Sequence, residues 1–186
     1  MKILSWNILA TEWIKSSYYQ EVNKNVIFNR AARFTQICAI LRQQQPDIIL
    51  LQEVMPQEYA GLQNCLHSKF YISPMNPLKW GKPKSKSGNV TIIRKSLLQK
   101  REIIHHSFDF GIYSICHLSA GGGAGDDKSL HIINLHLDDI SLETRKQQMA
   151  ALKPFYDTAK QCIIGGDFNH QYKATCPLYK LPGFHV

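Results

Sequence analysis

Three observations on this sequence predict a mixed α/β domain with a substantial antiparallel component. Short apolar runs, among them Ile48-Ile49-Leu50-Leu51 and Leu130 to Leu137, are continuous enough for strands buried on both faces. Between such runs the apolar spacing changes to three and four residues, the period of a helix. A glycine-rich stretch, residues 120–127, joins two β-rich runs as a hairpin connection does. At 186 residues the chain suits one domain with a sizeable core, so residues 1–186 are read as a single unit.

Residues 2–6 form a short apolar run ending at Asn7, and the polar, aromatic stretch to about Asn25 reads as a loop. From Val26 to Gln45 a helix is expected: Phe34, Ile37, Cys38 and Leu41 share one face, and Pro46 stops it. Ile48 to Leu51 then makes a strand with Gln52 and Glu53 at its C-terminal end. Residues 74–88, rich in Pro, Lys, Ser and Gly, read as a loop before a strand at Val90 to Arg94. Ile112 to Leu118 and Leu130 to Leu137 are the arms of the hairpin. Ser141 caps a helix whose apolar face includes Leu142, Met149 and Leu152, with Pro154 marking its end. Cys162-Ile163-Ile164 is a last short strand, running into Gly165-Gly166-Asp167-Phe168-Asn169.

A hydrophobic share of 44% with 19% charged residues excludes a disordered or fibrous chain. No stretch approaches the roughly 20 apolar residues of a membrane span. The apolar start is too short for a secretory segment, so an intracellular protein, cytoplasmic or nuclear, is expected. Five scattered cysteines without a C-x-x-C pair point to reduced thiols rather than a disulfide framework or zinc knuckle. The surplus of 22 Lys and Arg over 14 Asp and Glu, a net +8, favours anionic partners: nucleic acid or phosphorylated headgroups.

Polar residues stand where the apolar runs end: Asn7, Glu53, His136, and Asp167 with Asn169. Ends of neighbouring buried strands converge, so residues distant in sequence can share one cleft. The residue types suit one another. A hard divalent cation takes one or two carboxylates plus water and phosphate oxygen, a role open to Glu53. Asp167 can orient or deprotonate an attacking water, and Asn7 and Asn169 can hold a water, cation or phosphate oxygen without adding charge. His136 can donate to a non-bridging phosphate oxygen, where charge builds up in the transition state. Metal-assisted phosphoester hydrolysis is the chemistry these residues predict.

The ordered series Ser5-Trp6-Asn7-Ile8-Leu9, Pro46-Asp47-Ile48-Ile49-Leu50-Leu51-Gln52-Glu53-Val54, Ser87-Gly88-Asn89-Val90, Asn134-Leu135-His136-Leu137, Arg145 with Gln148, and Gly166-Asp167-Phe168-Asn169 resembles the motifs of the endonuclease/exonuclease/phosphatase superfamily. Its branches include DNase I, exonuclease III, deadenylases, tyrosyl-DNA phosphodiesterases, neutral sphingomyelinases and inositol polyphosphate 5-phosphatases. The resemblance runs from residue 2 to about residue 184. It implies a four-layer αββα sandwich of the DNase I type and a Mg²⁺ (or Mn²⁺) site. It assigns Glu53 and Asn7 to the metal, Asn169 to metal or phosphate support, His136 to phosphate and Asp167 to water activation.

The sequence departs from the series in two places. Leu9 stands where many nuclease members carry an acidic residue, as deadenylase-like and other branches also do with an apolar one. The superfamily closes with a Ser/Thr-Asp-His motif after further strands, whereas this sequence stops at Leu181-Pro182-Gly183-Phe184-His185-Val186. His185 follows too soon after Asn169 and lacks the preceding Asp. The expectation is a C-terminally incomplete domain, its last strands missing, with little hydrolytic activity of its own.

Lys79-Trp80-Gly81-Lys82-Pro83-Lys84-Ser85-Lys86 interleaves lysines with an indole. Lys82, Lys84 and Lys86 are therefore expected to contact a phosphate backbone and Trp80 to stack a base. Arg145 and Gln148 are expected to brace the sheet, and Asp138 and Asp139 to form a loop or helix entry. The function expected is nucleic-acid phosphodiester hydrolysis. The alternatives are an inositol-phosphate or sphingomyelin-type phosphoesterase and a catalytically inactive binding protein.

Overall fold

The structure, a computed structural model, describes residues 1–77, 86–98, 101–107, 113–120, 130–157 and 161–170. One sheet holds β1 (Ile3–Asn7), β2 (Ile48–Val54), β3 (Phe70–Ile72), β4 (Asn76–Pro77) and β5 (Gly88–Arg94), in the order β1-β2-β5-β3 with β4 also on β5. The second holds β6 (Arg101–Ser107), β7 (Tyr113–Ala120), β8 (Leu130–His136) and β9 (Gln161–Asp167), in sequence order. β1 runs parallel to β2, β8 runs parallel to β9, and the remaining pairs are antiparallel. The helices are α1 (Lys24–Ile27), α2 (Arg30–Gln44), α3 (Pro56–Leu66) and α4 (Leu142–Asp157).

Strand periodicity explains the layering. Along β2, Ile49 and Leu51 face one way and pack with Ile37 and Leu41 of α2 and Leu62 and Leu66 of α3. Ile48 and Leu50 face the other way and meet Leu130 and Ile132 of β8. Ile133 and Leu135 of β8, in turn, pack on Met149 and Leu152 of α4. These three apolar seams separate four layers, helix, sheet, sheet, helix, which is the αββα sandwich anticipated from the motifs. Ile48, Leu50 and Ile132 are wholly buried, and each such side chain contributes about 1.5–3 kcal/mol.

Several local expectations are corrected. The helix expected over Val26–Gln45 is two helices, because Asn29 caps a new start: its Oδ1 accepts from Ala32 N at 3.0 Å. Pro154 does not end α4, which runs on to Asp157, and Leu142 is 39% exposed rather than part of the apolar face. Ser141 does cap α4, with Oγ accepting from Thr144 N at 3.2 Å. Inside the expected 74–88 loop, Asn76–Pro77 pairs with β5. Helix α3 and strands β3 and β6 were not anticipated. β7 and β8 are antiparallel neighbours, as the hairpin reading requires. Cys38, Cys65 and Cys162 are free thiols. Burial pushes Cys38 up to about 12, helped by the Cys65 thiol 3.3 Å away, and pushes Cys162 up to about 11.

Candidate functional site

The ends of four strands meet at one rim of the sandwich. Asn7 ends β1, His136 ends β8, Asp167 ends β9 and Glu53 lies one residue from the end of β2. In register, His136 stands opposite Asp167 and Asn7 opposite Gln52. The two parallel pairs come from different sheets, and β1 and β2 pack against β8 and β9 across the inter-sheet seam.

The direction of Glu53 results from a bulge. Leu51 pairs with Val90 and Val54 with Gly88, so Gln52 and Glu53 together face the single residue Asn89. Glu53 takes a left-handed backbone, φ 59, and Val54 instead continues the helix-facing row of Ile49 and Leu51. Leu9 (φ 59) and Asn169 (φ 47) are left-handed too. Such backbones cost about 1–3 kcal/mol each and persist only where surrounding bonds hold them. Here those bonds are on hand. Leu9 N donates to Asn7 Oδ1 at 2.9 Å, and Asn169 N to Asp167 Oδ1 at 2.9 Å. Arg33 Nη2 donates to the carbonyls of Ile8 and Leu9, both at 2.7 Å.

Asn7 sits between the two acids. Its Nδ2 donates to Glu53 Oε1 at 2.7 Å and to Asp167 Oδ2 at 2.8 Å, while Ala10 N donates to Glu53 Oε2 at 2.8 Å. With Asn7 Oδ1 taken by Leu9 N, the amide is oriented as a donor to the carboxylates. His136 Nε2 lies 3.8 Å from Asp167 Oδ2 and 4.0 Å from Glu53 Oε1. Asn169 Nδ2 donates to Leu137 O at 2.8 Å. All five residues line a cavity of about 310 Å³. A larger cleft, about 410 Å³, lies elsewhere beside Arg42, Lys69 and Arg94, and no carboxylate lines it.

The donor set can be tested against a divalent cation. Two carboxylates share one neutral Asn7 nitrogen, and among the described residues neither has a Lys or Arg ion pair. Two carboxylates held together in a partly buried site are an arrangement that a bound cation would compensate. Among the described residues no group of three or more His, Cys, Asp or Glu is arranged to hold a metal. A Mg²⁺ ion takes one or two carboxylates and fills its remaining positions with water and phosphate oxygen, a demand that Glu53 and Asp167 would meet.

Below the rim the sheets are tied by buried amides. Gln52 Nε2 donates to Asn134 Oδ1 at 2.7 Å, Asn134 Nδ2 to Leu51 O and Val90 O, and Asn89 Nδ2 to Asn134 O. Arg145 Nη1 donates to Asp138 O, and Asp138 N to Gln148 Oε1, so both residues hold the turn after β8. Asp138 Oδ1 accepts from Ile140 N and Ser141 N. Of the basic segment, Trp80, Lys82 and Lys84 lie outside the described residues. Lys86 is exposed, and its backbone N–H points to Glu12 Oε2 at 3.5 Å. The sequence reading missed Arg33, the Gln52–Asn134 tie, and the wall formed by Trp13, Lys15, Tyr18 and Asp139. Only the aromatic richness of residues 13–19 offered a signal for the last of these. No helix among the described residues is long and apolar enough to cross a membrane.

Solved structures with this architecture include ANGEL2, a 2′,3′-cyclic phosphatase, with TM-score 0.71 and 18% identity over 90% of this chain and 52% of that one. TDP2 of D. rerio, complexed with single strand DNA product, has TM-score 0.60 and 16% identity over 92% and 62%. TDP2 of C. elegans has TM-score 0.54 and 21% identity over 91% and 48%. The chain thus spans about half the length of the ANGEL2 and C. elegans TDP2 chains and 62% of the D. rerio TDP2 chain. No curated protein matches it in sequence. Residues 4–177 match the Endonuclease/Exonuclease/phosphatase family, and the chain belongs to that family.

Proposed function

We propose that this chain carries the metal-binding and water-activating part of a Mg²⁺-dependent (or Mn²⁺-dependent) phosphodiesterase acting on nucleic acid. The observation that carries the reading is the convergence of Glu53 and Asp167, from different sheets, on the Asn7 amide nitrogen. Glu53 is the proposed ligand, with Ala10 N and Asn7 Nδ2 holding its carboxylate. When bound, the cation offsets the negative charge of the phosphate and favours its approach to the acidic rim. Asp167, its Oδ1 oriented by Asn169 N, accepts the proton of the attacking water. His136 donates through Nε2 to a non-bridging oxygen as charge accumulates there. Asn7 keeps the two carboxylates at a fixed spacing and Asn169 supports the turn that presents Asp167.

The nucleic-acid part rests on the net +8 charge and the single-strand DNA product held by the structurally similar D. rerio TDP2. The segment with Trp80, Lys82, Lys84 and Lys86 is the proposed backbone contact, and its last lysine adjoins the Glu12 turn at the cavity. Calorimetric titration of the chain with Mg²⁺ and Mn²⁺ tests the reading. Glu53→Gln is expected to weaken binding by about tenfold or more. Equal affinity in wild type and Glu53→Gln would overturn the assignment.

A further inference from the structure

The cavity has a second wall that the proposed hydrolysis does not use. Besides the residues of the proposed hydrolysis it is lined by Trp13, Lys15, Tyr18 and Asp139. Trp13 and Tyr18 lie in two consecutive 3₁₀ turns, Thr11–Trp13 and Ser16–Tyr18, and Lys15 immediately precedes the second. Trp13 is 39% exposed and Tyr18 69% exposed, although rings of that size are ordinarily drawn inward. They are held out by their neighbours. Ile8, Ala10 and Ile14 are buried and anchor the segment, and the Glu12 carboxylate faces the backbone N–H groups of Ser87 and Lys86 at 3.4 and 3.5 Å. Lys15 Nζ lies over the Tyr18 ring, 5.2 Å from its centroid.

We infer that Trp13 and Tyr18 form a stacking platform for a nucleobase, with Lys15 set to meet a phosphate of the same strand. The inference rests on the phosphoesterase reading only in taking its cavity as the substrate site. The chemistry discriminates among ligands. A base has a π-face for the indole and phenol, and its phosphate meets the Lys15 ammonium. An inositol phosphate offers charge but no π-face. The wall therefore selects nucleotides in unpaired strands, whose bases can leave the stack.

The test is fluorescence anisotropy of a short labelled single-stranded oligonucleotide, set against an abasic strand of equal length. EDTA is present throughout, so that binding is read independently of any metal. The wild-type chain is expected to prefer the base-bearing strand about tenfold. Trp13→Ala should remove that preference and leave abasic binding unchanged, whereas Trp13→Phe should retain most of it. Lys15→Ala should weaken both strands and flatten the salt dependence. Equal affinity for the two strands, no binding of either, or a preference that survives Trp13→Ala would each overturn the platform. A base preference that stands while Glu53→Gln leaves Mg²⁺ affinity unchanged would instead remove the hydrolase assignment and keep the platform.

Discussion

The two proposed acids ride on very different strands. β2, which presents Glu53, has β1 on one side and β5 on the other, and all seven of its residues are buried. β9, which presents Asp167, pairs only with β8 among the described residues, and none of its residues is fully buried. The carboxylates follow suit: the Glu53 side chain is 11% exposed and that of Asp167 28%. A ligand that must hold a cation gains from a rigid, enclosed mount. A group that must meet water gains from an open edge. The difference between the strands matches the division of labour proposed for their acids.

The largest effect expected from this contrast lies at the open strand. Gly166 has φ +141, and a Cβ there would lie 1.9 Å from the Leu135 carbonyl oxygen. Gly166→Ala should therefore destabilise the chain by about 4 kcal/mol or prevent folding, since neither backbone can yield. At Gly165 the added atom meets only Leu50 Cδ1, at 2.6 Å, the end of a side chain that can move. Gly165→Ala should cost about 1–2 kcal/mol. Chemical denaturation of the pair measures both, and equal losses would mean that β9 is held as loosely at Gly166 as at Gly165.

A second comparison weighs the strands' apolar rows. Ile49 in β2 is wholly buried, whereas Ile164 in β9 is half-buried. Ile49→Ala should cost about 3–4 kcal/mol and Ile164→Ala about half as much. A larger loss at Ile164 in denaturant midpoints would break the contrast.

The smallest expected effect separates the acids themselves. Arg33 holds the Ile8–Leu9 turn whose next residue donates to Glu53, and it makes no bond to the Asp167 side. Arg33→Met should lower Mg²⁺ affinity about tenfold, as loss of a supporting residue does, with a stability change of about 1–2 kcal/mol. Arg33→Lys keeps the charge, and because both bonds to the turn come from the single nitrogen Nη2, a lysine ammonium that reaches the turn should recover part of the affinity. Unchanged Mg²⁺ binding in Arg33→Met would show that the turn does not position Glu53.

What the sequence made legible followed from period and from strand ends. Ile48 to Leu51 announced a strand buried on both faces, and the polar residues closing the apolar runs are those gathered at the rim. The missed parts are those where local signals are weak or contradictory. Tyr59, Leu62 and Leu66 do mark one face of α3, but Gly61 and the brief span to Leu66 obscure it, and the helix depends on packing against β2. Three-residue β3 has too few positions to display a period. Pro154 lies inside α4 because Leu152 is buried and Phe155 packs on the same seam, a tertiary demand that outweighs the local preference. The left-handed turn at Glu53 could not be read either, since no glycine announces it and the bulge is set by how β2 meets β5.

The buried amides between the sheets have a consequence for alignment. Apolar contact between Ile48, Leu50, Leu130 and Ile132 holds the sheets together but is indifferent to small displacements along the strands, because burial has no direction. Gln52 and Asn134 are not indifferent. Sliding one sheet by a single residue, about 3.3 Å, would separate Gln52 Nε2 from Asn134 Oδ1 and Asn134 Nδ2 from Leu51 O and Val90 O. Each buried group left unmatched would cost about 1–3 kcal/mol. The amides thus act as a registration key: they admit one setting of the two sheets, and at that setting an acid from each reaches the same nitrogen of Asn7.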